Sequence, residues 1–250
     1  MNTLAVVFPI FKLQQSQHRI KAFHYVLKQV HNRLRPQQII IAEQLSASEQ
    51  SFVNYDTRLT TAHPLVIQDG DFNKSKTINA GVAVARTDLV LVLDTDVALH
   101  WDKITELVQT LPEGTVCKPF NAVHRLSERG TVPFVITNKI IKSQILSSVN
   151  LLGGGAILLH VSDFKAVGGF DERYVGWGAE DAAFGRSCMG VFKVTELDSP
   201  AYHLYHERDE EALVSTLAYK KNRDLYRATR GTSSTVVPPK GTLTKDSKIT

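Results

Sequence analysis

Residues 89–97 read LVLVLDTDV: five consecutive apolar residues followed by Asp94, Thr95 and Asp96. A short unbroken apolar run bounded by polar residues suits a strand buried on both faces. The two carboxylates stand at i and i+2. In extended backbone such positions share a side, so both can address one cation. Hard oxygen donors suit Mg2+ or Mn2+, and a cation there can neutralise a diphosphate leaving group. A solvated turn or a helix cap would leave the same triplet, so the flanking sequence has to decide.

Upstream, strand and helix signals alternate. Leu4–Phe8 (LAVVF) is a buried strand stopped by Pro9. Residues 18–34 repeat apolar positions at helical spacing behind Ser16 as a cap, and Ile39–Ala42 and Pro64–Ile67 are strands. Lys74–Ala85 is a helix. Such alternation implies βαβ units and a parallel sheet, whose ligands sit at the carboxyl ends of strands. Downstream, Trp101–Leu111 and Val161–Val167 read as helices, and Thr115–Phe120, Val191–Glu196 and Ala201–Tyr205 as strands. Residues 209–230 read as one helix, acidic at its start and basic at its end, as the macrodipole favours. Residues 121–150 carry Gly130, Pro133 and polar clusters and read as a mobile excursion.

The 250 residues are 43% hydrophobic and 22% charged, which excludes wholesale disorder and suits one large domain. No window of eighteen apolar residues offers a transmembrane helix, and MNTLAVVFPIFK lacks the basic start and cleavage site of a signal peptide. Cys117 and Cys188 are expected as reduced thiols of a cytoplasmic protein. The net charge of +4 fits a phosphate-bearing ligand or an anionic surface. The excess concentrates in 220–230, where a peripheral membrane contact is one reading and a solvated helix end the other. Nothing interleaves aromatics with bases as nucleic-acid binders do.

Four further patterns carry chemistry. In residues 72–81 (FNKSKTINAG), Asn73 can cap a helix whose N-terminus favours phosphate, with Lys74 and Lys76 beside it. In residues 151–160 (LLGGGAILLH), a glycine-rich turn enters a strand. In residues 176–181 (GWGAED), two glycines flank an aromatic suited to stacking on a sugar ring. Glu180 and Asp181 then open a helix, whose N-terminus would keep a catalytic base ionised. In residues 202–206 (YHLYH), His203 and His206 are candidate metal ligands; on a strand, i and i+3 face opposite ways, so only one should reach the ion.

Taken in order, these motifs resemble the nucleotide-sugar glycosyltransferases of the GT-A fold over residues 3–210. The likeness is to the β-1,4-galactosyltransferase catalytic domain and to bacterial chondroitin-polymerase-like transferases. It implies an α/β fold with a Rossmann-like, mostly parallel central sheet flanked by helices, as a single domain over 1–231 with a disordered tail at 232–250. It implies Mn2+ or Mg2+ held by Asp94, Asp96 and His203, with His206 as second choice. Pro9, Phe11, Asn73, Lys76, Asn79, Asp94, Gly154, Gly155 and Trp177 would contact the donor. Lys12 stands where the family has arginine or asparagine. Asp181 would be the base, with Glu180 binding a sugar hydroxyl. The implied reaction is inverting transfer from a UDP-sugar to a glycan or lipid-linked glycan, as in polysaccharide biosynthesis. A silent nucleotide-sugar or glycan-binding module is the rival. A sugar nucleotidyltransferase is a weaker one, because residues 9–18 hold no glycine.

Overall fold

The structure is a computed structural model and describes residues 1–45, 51, 62–68, 71–208 and 210–229. The first half runs β1 (Leu4–Phe11), α1 (Gln17–Gln29), β2 (Gln38–Leu45), β3 (Ala62–Gln68), α2 (Lys74–Ala83) and β4 (Leu89–Leu93). The Ser16 hydroxyl caps α1 by accepting from the Arg19 amide, and Asn73 caps α2 in the same way through the Lys76 amide. β1 continues through Pro9, where the sequence suggested a stop. β4 pairs with β1 only over Leu4–Val7, so beyond Val7 β1 bonds β2 alone. A proline there interrupts no ladder toward β4.

The chain continues as β5 (Val97–Ala98), α3 (Trp101–Thr110), β6 (Thr115–Lys118), β7 (Val123–Leu126), α4 (Glu128–Thr137), β8 (Ile145–Val149) and β9 (Ala156–His160). The last elements among the described residues are α5 (Val161–Ala166), α6 (Glu180–Met189), β10 (Lys193–Glu196), β11 (Ala201–His203), α7 (Glu210–Ser215) and α8 (Leu217–Ala228). The single helix expected over 209–230 is therefore divided: Thr216 caps α8 by accepting from the Tyr219 amide.

Among the described residues the strands form two sheets. The larger has the order β10-β6-β9-β4-β1-β2-β3 and is parallel except for β9, which runs against both β4 and β6. Alternate residues of β1 face two apolar layers. Val6, Phe8 and Ile10 meet Phe23 and Val26 of α1 and Ile104 of α3; Ala5 and Val7 meet Ile78 of α2 and Phe184 of α6. Cys117 lies in the first layer and Cys188 in the second, so the sheet keeps the two thiols apart. Winding goes from β1 outward to β2 and β3, then returns to β4 on the other flank of β1. The order reverses between β1 and β4, and a crevice at their carboxyl ends is where such sheets take ligands.

The smaller sheet has the order β5-β11-β7-β8. It corrects the reading of 121–150 as a mobile excursion, because β7, α4 and β8 lie there. Ser127 caps α4 through the Gly130 amide and donates to Gln144 Oε1. Pro133 sits inside α4 and removes one backbone donor, facing the carbonyl of exposed Arg129. No helix among the described residues is long and apolar enough to cross a membrane. The tail expected at 232–250 lies outside the described residues.

Candidate active site

The turn Asp94-Thr95-Asp96 leaves β4 at the crevice, and its two carboxylates enter different clusters. Asp94 meets Lys74, the first residue of α2. Lys74 Nζ lies 2.9 Å from Asp94, 3.2 Å from Asp181 and 4.0 Å from Glu180. The lysine side chain is only 13% exposed. Burial works against its charge, but the three carboxylates outweigh burial and hold the ammonium well above its ordinary pKa. Asp181 moves upward to about 8. Burial is the largest cause, Glu180 and Asp94 add to it, and Lys74 opposes. The expectation that the helix N-terminus keeps this base ionised is thereby corrected, since desolvation and like charge prevail.

Glu180 has a different commitment. Its Oε2 accepts the Gly178 amide at 3.0 Å, closing the turn before α6. Asp181 keeps 19% of its side chain exposed against 7% for Glu180. The glycine stretch binds both halves of this cluster. The Asp94 amide donates to the Gly155 carbonyl at 2.9 Å. Gly153, at φ +90°, approaches so closely that a Cβ would lie 2.9 Å from the Asp181 carbonyl oxygen. Lys118, buried at the end of β6, bonds the Asn150 side chain and anchors the start of the stretch.

Asp96 belongs to the second cluster. β11 pairs antiparallel with β5, placing His203 opposite Val97, and the Leu204 amide donates to the Asp96 carbonyl at 2.8 Å. His203 Nε2 lies 3.5 Å and His206 Nε2 3.3 Å from the Asp96 carboxylate. One ligand atom from each residue fits within 4.8 Å of the others. The expectation that only one histidine can reach is corrected: β11 ends at His203, so strand alternation no longer governs residue 206. His206 Nδ1 faces the Glu207 carbonyl at 3.0 Å, which leaves Nε2 for the cluster. Burial opposes the charge of Asp96, yet His203 and His206 hold it well below the carboxylate range. Burial lowers His203 against the pull of Asp96; in His206 the Asp96 contacts overcome burial and raise it. Two imidazoles and an ionised carboxylate form a donor set suited to Mn2+. Asp94 stands outside this set, on Lys74.

The remaining expected residues divide. Pro9 and Phe11 close the carboxyl end of β1, where Phe11 stacks on Phe72 with centroids 4.5 Å apart. Lys12, at φ 46°, carries Nζ 5.1 Å from that Phe11 ring. Trp177 stacks on Tyr219 of α8. Asn73 and Asn79 are struts. Asn73 caps α2 and donates to the Glu172 carbonyl at 2.7 Å. The Asn79 amide accepts from the Phe170 amide and donates to the Phe170 carbonyl and to Glu172. Lys76, two residues along α2, gives up to Lys74 the place among the acids. The centrality of Lys74 escaped sequence reading. Its signal was position, since the residue after a helix cap at a crevice points at whatever the crevice binds.

Solved glycosyltransferase structures share this fold. TarS of S. aureus superposes with a TM-score of 0.58 at 12% identity, over 91% of this chain and 39% of its own. The catalytic domain of Drosophila β1,4-galactosyltransferase 7, in complex with xylobiose, gives 0.52 at 16% identity over 91% and 80%. GalNAc-T7 with UDP, GalNAc and Mn2+ gives 0.58 at 11% over 94% and 52%. The fold is the GT-A fold.

In sequence, the family described as the N-terminal domain of galactosyltransferase matches residues 138–207, the stretch carrying Gly153–Gly155, Trp177, Glu180, Asp181, His203 and His206. Validoxylamine A glucosyltransferase of Streptomyces hygroscopicus subsp. jinggangensis is 38% identical over 69 residues, which are 27% of this chain and 16% of the relative. The match thus spans about a sixth of that relative's length. The chain resembles GT-A glycosyltransferases in fold over 91–94% of its length and in sequence over residues 138–207.

Proposed function

We propose that this chain is a metal-dependent, inverting glycosyltransferase domain that moves a sugar from a UDP donor to a glycan hydroxyl. One observation carries the reading. A single turn, Asp94–Asp96, joins a two-histidine, one-carboxylate donor set to a buried lysine–carboxylate cluster at the sheet's topological switch point. A bound Mn2+ or Mg2+, held by Asp96, His203 and His206, would neutralise charge on the departing diphosphate.

Asp181 is the base, because Glu180 is committed to the Gly178 amide. The acceptor hydroxyl gives its proton to the Asp181 carboxylate while its oxygen bonds the anomeric carbon. The bond from that carbon to the phosphate oxygen breaks on the opposite face, and UDP leaves with the electron pair. Lys74 holds Asp181 and Asp94 in fixed relation, so the chain contributes orientation and preorganised charge. Phe11 and the α2 N-terminus flank the donor, and Trp177 meets a sugar ring.

UDP, Mn2+ and glycans accompany the structures of similar fold: UDP with GalNAc and Mn2+ in one protein, UDP-Gal with manganese and xylobiose in another. The acceptor we propose is a glycan, lipid-linked at an anionic cytoplasmic membrane surface toward which α8 turns exposed Lys220, Lys221 and Leu217. The test is a thermal-shift screen of UDP-sugars with and without Mn2+, followed by UDP release with the stabilising donor. Mn2+-dependent stabilisation and release that EDTA abolishes are expected. Binding without turnover would favour the sugar-binding module instead.

A further inference from the structure

The glycines of Gly176-Trp177-Gly178 face a helix that lies some forty residues further along the chain. A Cβ at Gly176 would stand 3.1 Å from the Ala218 Cβ, and one at Gly178 would stand 2.6 Å from Cδ2 of the Tyr219 ring. Between them the Trp177 indole stacks on Tyr219, with centroids 5.3 Å apart and planes 15° apart. Asn222, buried at 3% exposure, donates Nδ2 to the Val175 carbonyl at 3.0 Å and to the Trp177 carbonyl at 3.5 Å. The Gly176 amide donates to the Phe72 carbonyl at 2.7 Å.

The backbone here is in the left-handed region at Gly176, Gly178 and Ala179, with φ of 75°, 115° and 71°. That conformation is costly for Ala179, which has a Cβ, so the segment needs an external template. Arg208, two residues after His206, places its guanidinium carbon 4.5 Å from the same indole centroid.

We propose that α8 is the template of the sugar platform, with Tyr219 and Asn222 as positioning residues for Trp177 and, through the Gly178 amide, for Glu180 beside the base. This rests on the transferase reading above. It assigns to α8 a role in the sugar half of the site. The candidate metal cluster is built by other elements, the β4–β5 turn, β11 and the segment after it, and would hold the diphosphate through a bound cation.

The test uses Tyr219→Ala, Tyr219→Phe and Asn222→Leu in the full chain. Trp101 and Trp177 are the tryptophans of the sequence, so a Trp101→Phe background leaves Trp177 as the emitter. Acrylamide quenching of its emission needs no ligand, and it is expected to rise in Tyr219→Ala and Asn222→Leu and to return to the parent value in Tyr219→Phe. In Mn2+, affinity for the UDP-sugar that the wild type turns over should fall about two- to tenfold in Tyr219→Ala, the scale of one lost aromatic contact. Affinity for UDP alone should stay unchanged. Unchanged quenching, or an equal loss of UDP and UDP-sugar affinity, overturns the inference. A wild type that binds none of the UDP-sugars sinks the transferase reading and the sugar role together, while the quenching arm still decides whether α8 holds the indole.

Discussion

Lys74→Met removes the cation shared by three carboxylates and keeps most of the side chain's length. In the wild type Nζ lies 2.9 Å from Asp94, 3.2 Å from Asp181 and 4.0 Å from Glu180, and the three acids are 29%, 19% and 7% exposed. Removing one partner of a buried ion pair costs about 3–5 kcal/mol, because the remaining charge is uncompensated. At roughly 2–4 °C of Tm per kcal/mol for a chain of this size, the loss is on the order of 6–20 °C. The pH dependence has a definite sign. Without Lys74 the clustered acids bind protons more tightly in the folded chain than in the unfolded one. Loss of the opposing cation raises Asp181 beyond its already raised wild-type position, and stability falls further as pH rises above the unfolded carboxylate range near 4. The deficit relative to wild type should therefore be larger at pH 8 than at pH 5. Scanning calorimetry at the two values measures it. A Tm within about 2 °C of wild type at pH 8, or an equal deficit at both values, refutes the lysine-centred cluster. Mn2+ affinity should survive, since Lys74 lies outside the donor set.

Three further outcomes follow from the same geometry. His203→Ala and His206→Ala should weaken Mn2+ binding to a similar extent, by more than the roughly 10- to 100-fold that a change outside the ligand shell causes; calorimetric titration showing one variant near wild type would remove that histidine from the set. Because burial raises Asp181 to about 8 and the base works only when ionised, kcat/KM should climb as pH rises through that value, and a profile flat from pH 6 to 9 would contradict the assignment. Replacing Lys220 and Lys221 together with Glu should abolish salt-sensitive sedimentation with vesicles containing phosphatidylserine, while wild-type protein that fails to sediment even at low salt would dispose of the membrane contact.

The central strand was legible because burial on both faces leaves an uninterrupted apolar run, and Leu89–Leu93 forms β4 with those bounds. Caps were legible for the same kind of reason: the capping bonds of Ser16 and Asn73 reach only three residues along. What depends on tertiary placement was not. Pro133 and Gly130 read as breakers, yet α4 carries both, supported by Ser127 and by Gln144 from beyond the helix. His206 was judged by strand alternation, which stops where β11 stops. The choice between Lys74 and Lys76 could not be made from spacing, because it depends on where Asp181 arrives from more than a hundred residues away. The ionisation of Asp181 was misjudged for a related reason, since a helix N-terminus is visible in sequence and the burial that outweighs it is not.

The most direct test of the account is the turnover of Asp181→Asn, read beside its donor affinity. Asparagine keeps the shape of the side chain and cannot take the acceptor proton. Loss of a general base lowers rate by on the order of 10²–10⁴, and in the proposed reading the diphosphate is held elsewhere, through a cation on Asp96, His203 and His206. The variant should therefore bind UDP-sugar with Mn2+ at near wild-type affinity and lose at least a hundredfold in kcat. Retained turnover in Asp181→Asn, together with loss in Glu180→Gln, would give the base role to Glu180; retained turnover in both would place the chemistry outside this crevice.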